Sequence, residues 1–196
     1  NTYPGAACDV PSQLYSFSFA PNREWTRSFS TQPEIQRYLQ RVTDQFGIGG
    51  HFWFQTEVTQ MRWDESQNRW VITTNRGTCT AEVLVVAAGS LSAPKLPEIE
   101  GIDDFEGEIW HSAQWNHDFD LAAKRLAVIG TGASAIQVVP EIAPRVAHLD
   151  VYRRTAPWVI PRHDREYGPS ERKALRLVPG LGRFYRESIR YARERM

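Results

Sequence analysis

Apolar and polar positions change period several times along the chain, and each change marks an element. Residues 1–29 mix Pro, Ser and aromatic side chains with no regular period, so they read as a long packed loop that needs a partner surface. From Thr31 the pattern turns helical. Ile35, Tyr38, Leu39, Val42 and Phe46 recur at three-four spacing as one buried stripe. Thr31 and Glu34 form a capping-box signature with Pro33 just inside the first turn, and Gly47, Gly49 and Gly50 end the helix.

Strand patterns follow. Residues 56–63 and Arg69–Thr74 flank a polar turn, and Asn75, Arg76 and Gly77 turn the chain into residues 78–82, which predicts a three-stranded antiparallel meander. The wholly apolar run 83–89 predicts a strand buried on both faces, as in a parallel sheet covered by helices. A second buried strand is expected at Arg125–Ile129. A glycine turn leads from it into a helix over 134–142, kinked or shortened at Pro140, and then into a strand at His148–Tyr152, completing one βαβ unit.

The chemistry concentrates in that unit. Gly130-Thr131-Gly132-Ala133-Ser134-Ala135 has the strand, tight turn and helix that dinucleotide binding requires. Gly130 permits the turn, Gly132 lets a pyrophosphate approach the backbone, and Ala135 allows close helix-to-strand packing, while the helix N-terminus offers N–H donors. After the next strand the chain places Arg153, Arg154 and Thr155 where an acidic residue would accept a ribose hydroxyl. Two guanidiniums and a hydroxyl suit a 2'-phosphate, which favours NADP over NAD.

Composition narrows the remaining classes. The 196 residues are 41% hydrophobic and 23% charged, with 23 basic and 23 acidic side chains, so no global charge attracts nucleic acid or an anionic membrane. Residues 162–196 are basic, and their cations alternate with Leu, Tyr and Ile as on a solvated helical face. No apolar run is long enough to span a bilayer. The two cysteines, Cys8 and Cys79, build neither a disulfide framework nor a metal motif, so a reducing, cytoplasmic setting is expected, and the five histidines show no ligand spacing.

Three further motifs carry a resemblance. Phe105-x-Gly107-x-x-x-His111-x-x-x-Trp115 resembles the fingerprint of the flavin-containing Baeyer-Villiger monooxygenases, and it precedes the dinucleotide motif as it does in that family. Residues 3–9, Tyr-Pro-Gly-Ala-Ala-Cys-Asp, resemble the family's second signature, and residues 154–158, Arg-Thr-Ala-Pro-Trp, resemble its 2'-phosphate site. Asn116 departs from the usual Pro or Asp after the fingerprint. Trp115 favours the Baeyer-Villiger branch over the related N- and S-oxidising monooxygenases, which remain the alternative alongside a non-catalytic nucleotide-binding module.

The resemblance implies an α/β fold with two dinucleotide-binding, Rossmann-like lobes, the first incomplete and carrying the antiparallel meander, the second NADP-binding with a helical extension. It implies the end of an FAD domain at 1–90, a connector at 91–123, the start of an NADP domain at 124–161 and a helical insertion at 162–196. The chain is thus expected to be an internal fragment of an enzyme that uses FAD and NADPH to insert an oxygen atom of O2 beside a ketone carbonyl.

Site roles follow from the same resemblance. Asp9 is the expected catalytic carboxylate, beside flavin and nicotinamide, with Ala7 and Cys8 next to it at the cofactor. Tyr15 would contact FAD and Val58 would offer backbone groups to its adenine. Gly130, Thr131, Gly132, Ala133, Ser134, Ala135, Gln137, Arg154 and Thr155 would hold NADP. His111 would serve domain closure rather than acid-base chemistry, and Trp115 would pack the connector.

Overall fold

The computed structural model describes residues 1–89 and 93–194. Its helices are α1 (Gln32–Gln45), α2 (Ala133–Ile142), α3 (Pro169–Leu177) and α4 (Leu181–Glu194), and its strands are β1 (Val58–Asp64), β2 (Arg69–Thr74), β3 (Gly77–Ala81), β4 (Arg125–Ile129) and β5 (His148–Tyr152). The chain forms two compact units, residues 1–42 with 95–196, and residues 43–94. The boundary expected between residues 90 and 91 lies outside the described residues.

The smaller unit is the expected meander, ordered β1-β2-β3 with both pairs antiparallel. Its first turn is built by Asp64, whose Oδ1 accepts from the Ser66 hydroxyl (2.6 Å), Ser66 N–H (2.9 Å) and Gln67 N–H (3.3 Å). The Ser66 hydroxyl bond leads the contacts that hold the Asp64 carboxyl below the usual range. Trp63 and Trp70 face each other across β1 and β2, ring centroids 5.5 Å apart and edge to face.

The run 83–89 corrects the sequence reading. It forms no strand, and Val83 and Val85 are 78% and 81% exposed. A strand needs ladder partners, and neither described sheet includes this run.

In the larger unit β4 and β5 pair in parallel, Arg125 with His148 through Ile129 with Tyr152. The expectation that β4 is buried on both faces is also corrected. Leu126 and Val128 pack toward the core, whereas Arg125, Ala127 and Ile129 are exposed, because the two-stranded sheet is covered on one face only. Helix α2 runs through Pro140 to Ile142 and then tightens into a 3-10 turn at Ala143–Arg145. Ile142 is fully buried and Val138 nearly so, in a cluster with Tyr3, Ala6 and Leu121 that Trp115, Phe119, Leu126 and Leu149 border.

A second cluster joins Trp25, 1% exposed, to Tyr38, Val42, Tyr167, Leu175 and Ala20. It uses only part of the predicted α1 stripe, for Leu39 and Phe46 are exposed. The capping box does not close as read. Glu34 Oε1 accepts from Thr26 N–H (3.0 Å), and Ile35 N–H bonds to Thr31 O (3.1 Å). Competition from the loop backbone thus takes the carboxylate away from the helix end.

The irregular stretch 1–29 finds its partner surface within the same unit. Ser28 N–H bonds to Arg165 O (2.9 Å) and Tyr167 N–H to Thr26 O (2.8 Å). Asp164 adds bonds from the Ser28 hydroxyl (2.9 Å) and Phe29 N–H (3.1 Å), with Arg27 paired at 2.7 Å. Arg165 forks onto Glu171 with two 2.8 Å bonds and holds that carboxyl below its ordinary range. Burial pushes the Tyr167 phenol beneath it up to about 12.

Gly5 shows how closely residues 3–9 lie on α2. Its φ is +76°, and a Cβ there would stand 2.6 Å from Gln137 O and 2.7 Å from Glu141 Cγ. Gly5→Ala is therefore expected to lower stability by more than about 1 kcal/mol, since both the positive φ and the contact penalise a side chain. Urea unfolding followed by circular dichroism measures it, and an unchanged midpoint would show that the loop does not press on the helix.

Candidate functional site

The βαβ unit places the glycine motif and the arginine pair at one end of the sheet. Gly130 leaves β4 with φ +108°, and its N–H bonds to Tyr152 O (2.9 Å), the last residue of β5. Arg153, Arg154 and Thr155 therefore leave β5 alongside the glycine turn, at the carboxyl ends of two parallel strands, which is where α/β folds bind nucleotides. All three are exposed, and among the described residues neither arginine has an ion-pair partner.

The turn itself is open. A Cβ built on Gly130 or Gly132 would meet nothing within 4 Å. Gly132 is the N-cap of α2 in an extended conformation, and Ile136 N–H bonds back to Gly132 O (3.1 Å). The amides of Ala133, Ser134 and Ala135 fall in the first turn, where no intrahelical acceptor exists for them. With Thr131, these residues form a cradle whose free donors and positive dipole end suit an anion.

One cleft of about 590 Å3 reaches this cradle, lined by Lys95, Leu96, Pro97, Glu98, His111, Ile129 and Gly130. The fingerprint histidine and the first glycine of the dinucleotide motif thus share a wall. His111 Nδ1 accepts from Ala113 N–H (3.1 Å), capping the 3-10 turn Ser112–Gln114. Trp115 packs at the border of the α2 cluster and meets Trp110 edge to face at 5.6 Å. Phe105 is exposed, with its ring folded over Gly107, where a Cβ would be 2.4 Å from the ring. The Lys95–Glu98 segment carries no motif, and nothing in the sequence marked it as part of the cleft.

Residues 3–9 lie on the same helix. Asp9 is exposed and accepts from Gln137 Nε2 (2.9 Å), one turn along α2 from the cradle. Ala7 spends its N–H and its C=O on the Gln137 amide (3.1 and 3.0 Å), and Cys8 N–H bonds to Ser30 O (2.9 Å). The Cys8 thiol is buried and donates to Val10 O (2.9 Å). Tyr15 follows the 3-10 turn Ser12–Leu14 and is exposed. Val58 opens β1 in the other unit, also exposed. Among the described residues no cluster could hold a metal ion, and no helix is long and apolar enough to cross a membrane.

Known proteins are similar to this chain along most of its length. The pyridine nucleotide-disulphide oxidoreductase family matches residues 9–177. A Baeyer-Villiger monooxygenase of Streptomyces coelicolor is 55% identical over 186 residues, 95% of this chain and 36% of that protein. The crystal structure of cyclohexanone monooxygenase from Rhodococcus sp. Phi1 bound to NADP+ is 41% identical with a TM-score of 0.81, over 89% of this chain and 34% of that one. A complex of OTEMO with FAD and NADP is 35% identical with a TM-score of 0.82, over 90% and 35%. The chain spans about a third of the length of these proteins.

Cys8 supplies a test of the local packing. Burial raises its pKa, so at neutral pH the thiol stays protonated and unreactive, whereas Cys79 is partly exposed. One fast-reacting thiol per chain is expected with a disulfide reagent, and two after denaturation. Two fast thiols in the native protein would mean that residues 3–9 are not held on α2.

Proposed function

The chain belongs to the pyridine nucleotide-disulphide oxidoreductase family and to the Baeyer-Villiger monooxygenases, and from that membership we propose that it forms a cofactor-binding part of an FAD- and NADPH-dependent enzyme that inserts one oxygen atom of O2 beside a ketone carbonyl, giving an ester or lactone. The observation that carries the reading is the shared exit of the glycine turn and the Arg153–Arg154–Thr155 segment from the β4–β5 pair, fixed by the Gly130 to Tyr152 hydrogen bond.

The residues fit NADP. The space open above Gly130 and Gly132 admits a pyrophosphate, the first-turn amides of α2 donate to it, and the unpaired Arg154, with Thr155, takes the 2'-phosphate. On the flavin side, Asp9 and Tyr15 present polar groups in the open, while Ala7 and Cys8 have spent theirs and act by shaping the loop. Val58 is the residue proposed to offer backbone groups to the adenine. When bound, FAD activates O2 and NADPH supplies the reducing hydride. Asp9 orients the reacting partners as a fixed carboxylate.

The finer organisation belongs to the same proposal. Residues 1–90 close a first, FAD-binding Rossmann-like lobe, 91–123 connect it to the NADP lobe that starts at 124–161, and 162–196 form a helical insertion. Phe105, Gly107, His111 and Trp115 belong to the connector, in which His111 serves domain closure and Trp115 packs the segment. The substrate is a small organic ketone, and the free thiols suit a cytoplasmic enzyme. Product analysis with a ketone and a sulfide separates this reading from heteroatom oxidation: lactone formation supports it, and sulfoxide as the sole product overturns it.

Two substitutions test the nucleotide site. Arg154→Ala is expected to weaken NADPH by about 1.5 to 3 kcal/mol and NADH far less, since only NADPH offers the 2'-phosphate. Equal losses in parallel titrations would remove the assignment. Gly132→Val meets no neighbour, so the fold is expected to survive while NADP+ binding is lost. Retained affinity would reduce the motif to an ordinary turn.

A further inference from the structure

The side-chain amide of Gln137, which the resemblance implied would hold NADP, has no hydrogen-bonding capacity left for it. Its Oε1 accepts from the Tyr3 hydroxyl (3.1 Å) and Ala7 N–H (3.1 Å), and its Nε2 donates to Ala7 O (3.0 Å) and Asp9 Oδ1 (2.9 Å). A primary amide carries two donor hydrogens and two acceptor lone pairs, so all four are engaged. All four partners belong to one short loop, from 128 to 134 residues away in sequence. That loop can approach because Gly5 has no Cβ where one would strike the Gln137 carbonyl at 2.6 Å. The helix that carries Gln137 begins at the anion cradle, so a rigid element under two turns long joins the cradle to the Asp9 carboxylate.

We propose that Gln137 is a positioning residue, which holds the Asp9 carboxylate at a fixed place relative to the nucleotide seated at the N-terminus of α2, and that it does so without touching the nucleotide. The proposal rests on the reading of Asp9 as the carboxylate that faces the cofactors. It explains why a glutamine is used. The Ala7 main chain needs one donor and one acceptor, and Asp9 needs a neutral donor that leaves its charge intact. A carboxylate in place of the amide would donate to neither Ala7 O nor Asp9. An aliphatic residue would leave the Ala7 groups unpaired against the helix.

The test measures flavin reduction by NADPH in the FAD-loaded enzyme, together with NADP+ affinity by titration. Gln137→Ala is expected to slow reduction about tenfold, the effect of losing a hydrogen bond to a charged group, while NADP+ affinity changes less than about threefold. In an Asp9→Asn background the same change is expected to cost nothing further, because its effect passes through Asp9. Additive losses, or a loss of NADP+ affinity as large as the loss of rate, would overturn the positioning role and leave the reading of Asp9 standing. Full activity in Asp9→Asn alone would remove both.

Gln137→Glu keeps the proposal testable if Gln137→Ala fails to fold. At low pH the introduced carboxyl and Asp9 share a proton and the contact persists, whereas at high pH the two anions repel. Its reduction rate is therefore expected to fall with rising pH relative to the unsubstituted enzyme. A ratio of rates that does not vary with pH would overturn the proposal.

Discussion

The docking of residues 3–9 on α2 is the constraint from which the rest of the larger unit follows. Ile142 and Val138 are covered by Tyr3, Ala6, Leu121 and the residues bordering them. Burying a side chain of that kind is worth roughly 1.5 to 3 kcal/mol, which is enough to oppose the ordering of a loop with no ladder of its own. Once the loop is seated, Asp9 lies one helical turn from the glycine motif, and Trp115 and Phe119 pack against the same cluster. The fingerprint segment, the N-terminal signature and the nucleotide turn thus share one core.

Much of this was legible in the sequence because the signals were local. The β4-turn-α2-β5 unit announces itself through apolar spacing and two glycines, and the meander through its polar turns. The resemblance singles out Asp9, Arg154 and the fingerprint as candidates from short motifs alone. What escaped was non-local. The four bonds of Gln137 and the Asp164 contacts to Ser28 and Phe29 join residues more than 120 apart, and no periodicity encodes them. The capping signature at Thr31 and Glu34 misled for the same reason, since the competing donor, Thr26 N–H, comes from a loop without a pattern.

The strand expected over 83–89 shows the opposite error, a correct hydrophobic pattern without its partners. An apolar run states what a segment needs, whereas a sheet requires that something supply it. Parallel sheets are covered on both faces in α/β folds, yet Ile129 and Val151 face outward here, as do Val83, Val85 and Val86.

The segment after Arg154 and Thr155 ends in Trp158, which is 100% exposed, whereas Trp25 is almost wholly enclosed. Indole emission shifts to the red and becomes open to aqueous quenchers when the ring is hydrated. Trp158 therefore gives the stretch beside the phosphate-reading arginines an optical signature distinct from that of the core. Any ordering of that stretch around a bound anion would shift its light to the blue and shield it from iodide, with no label attached.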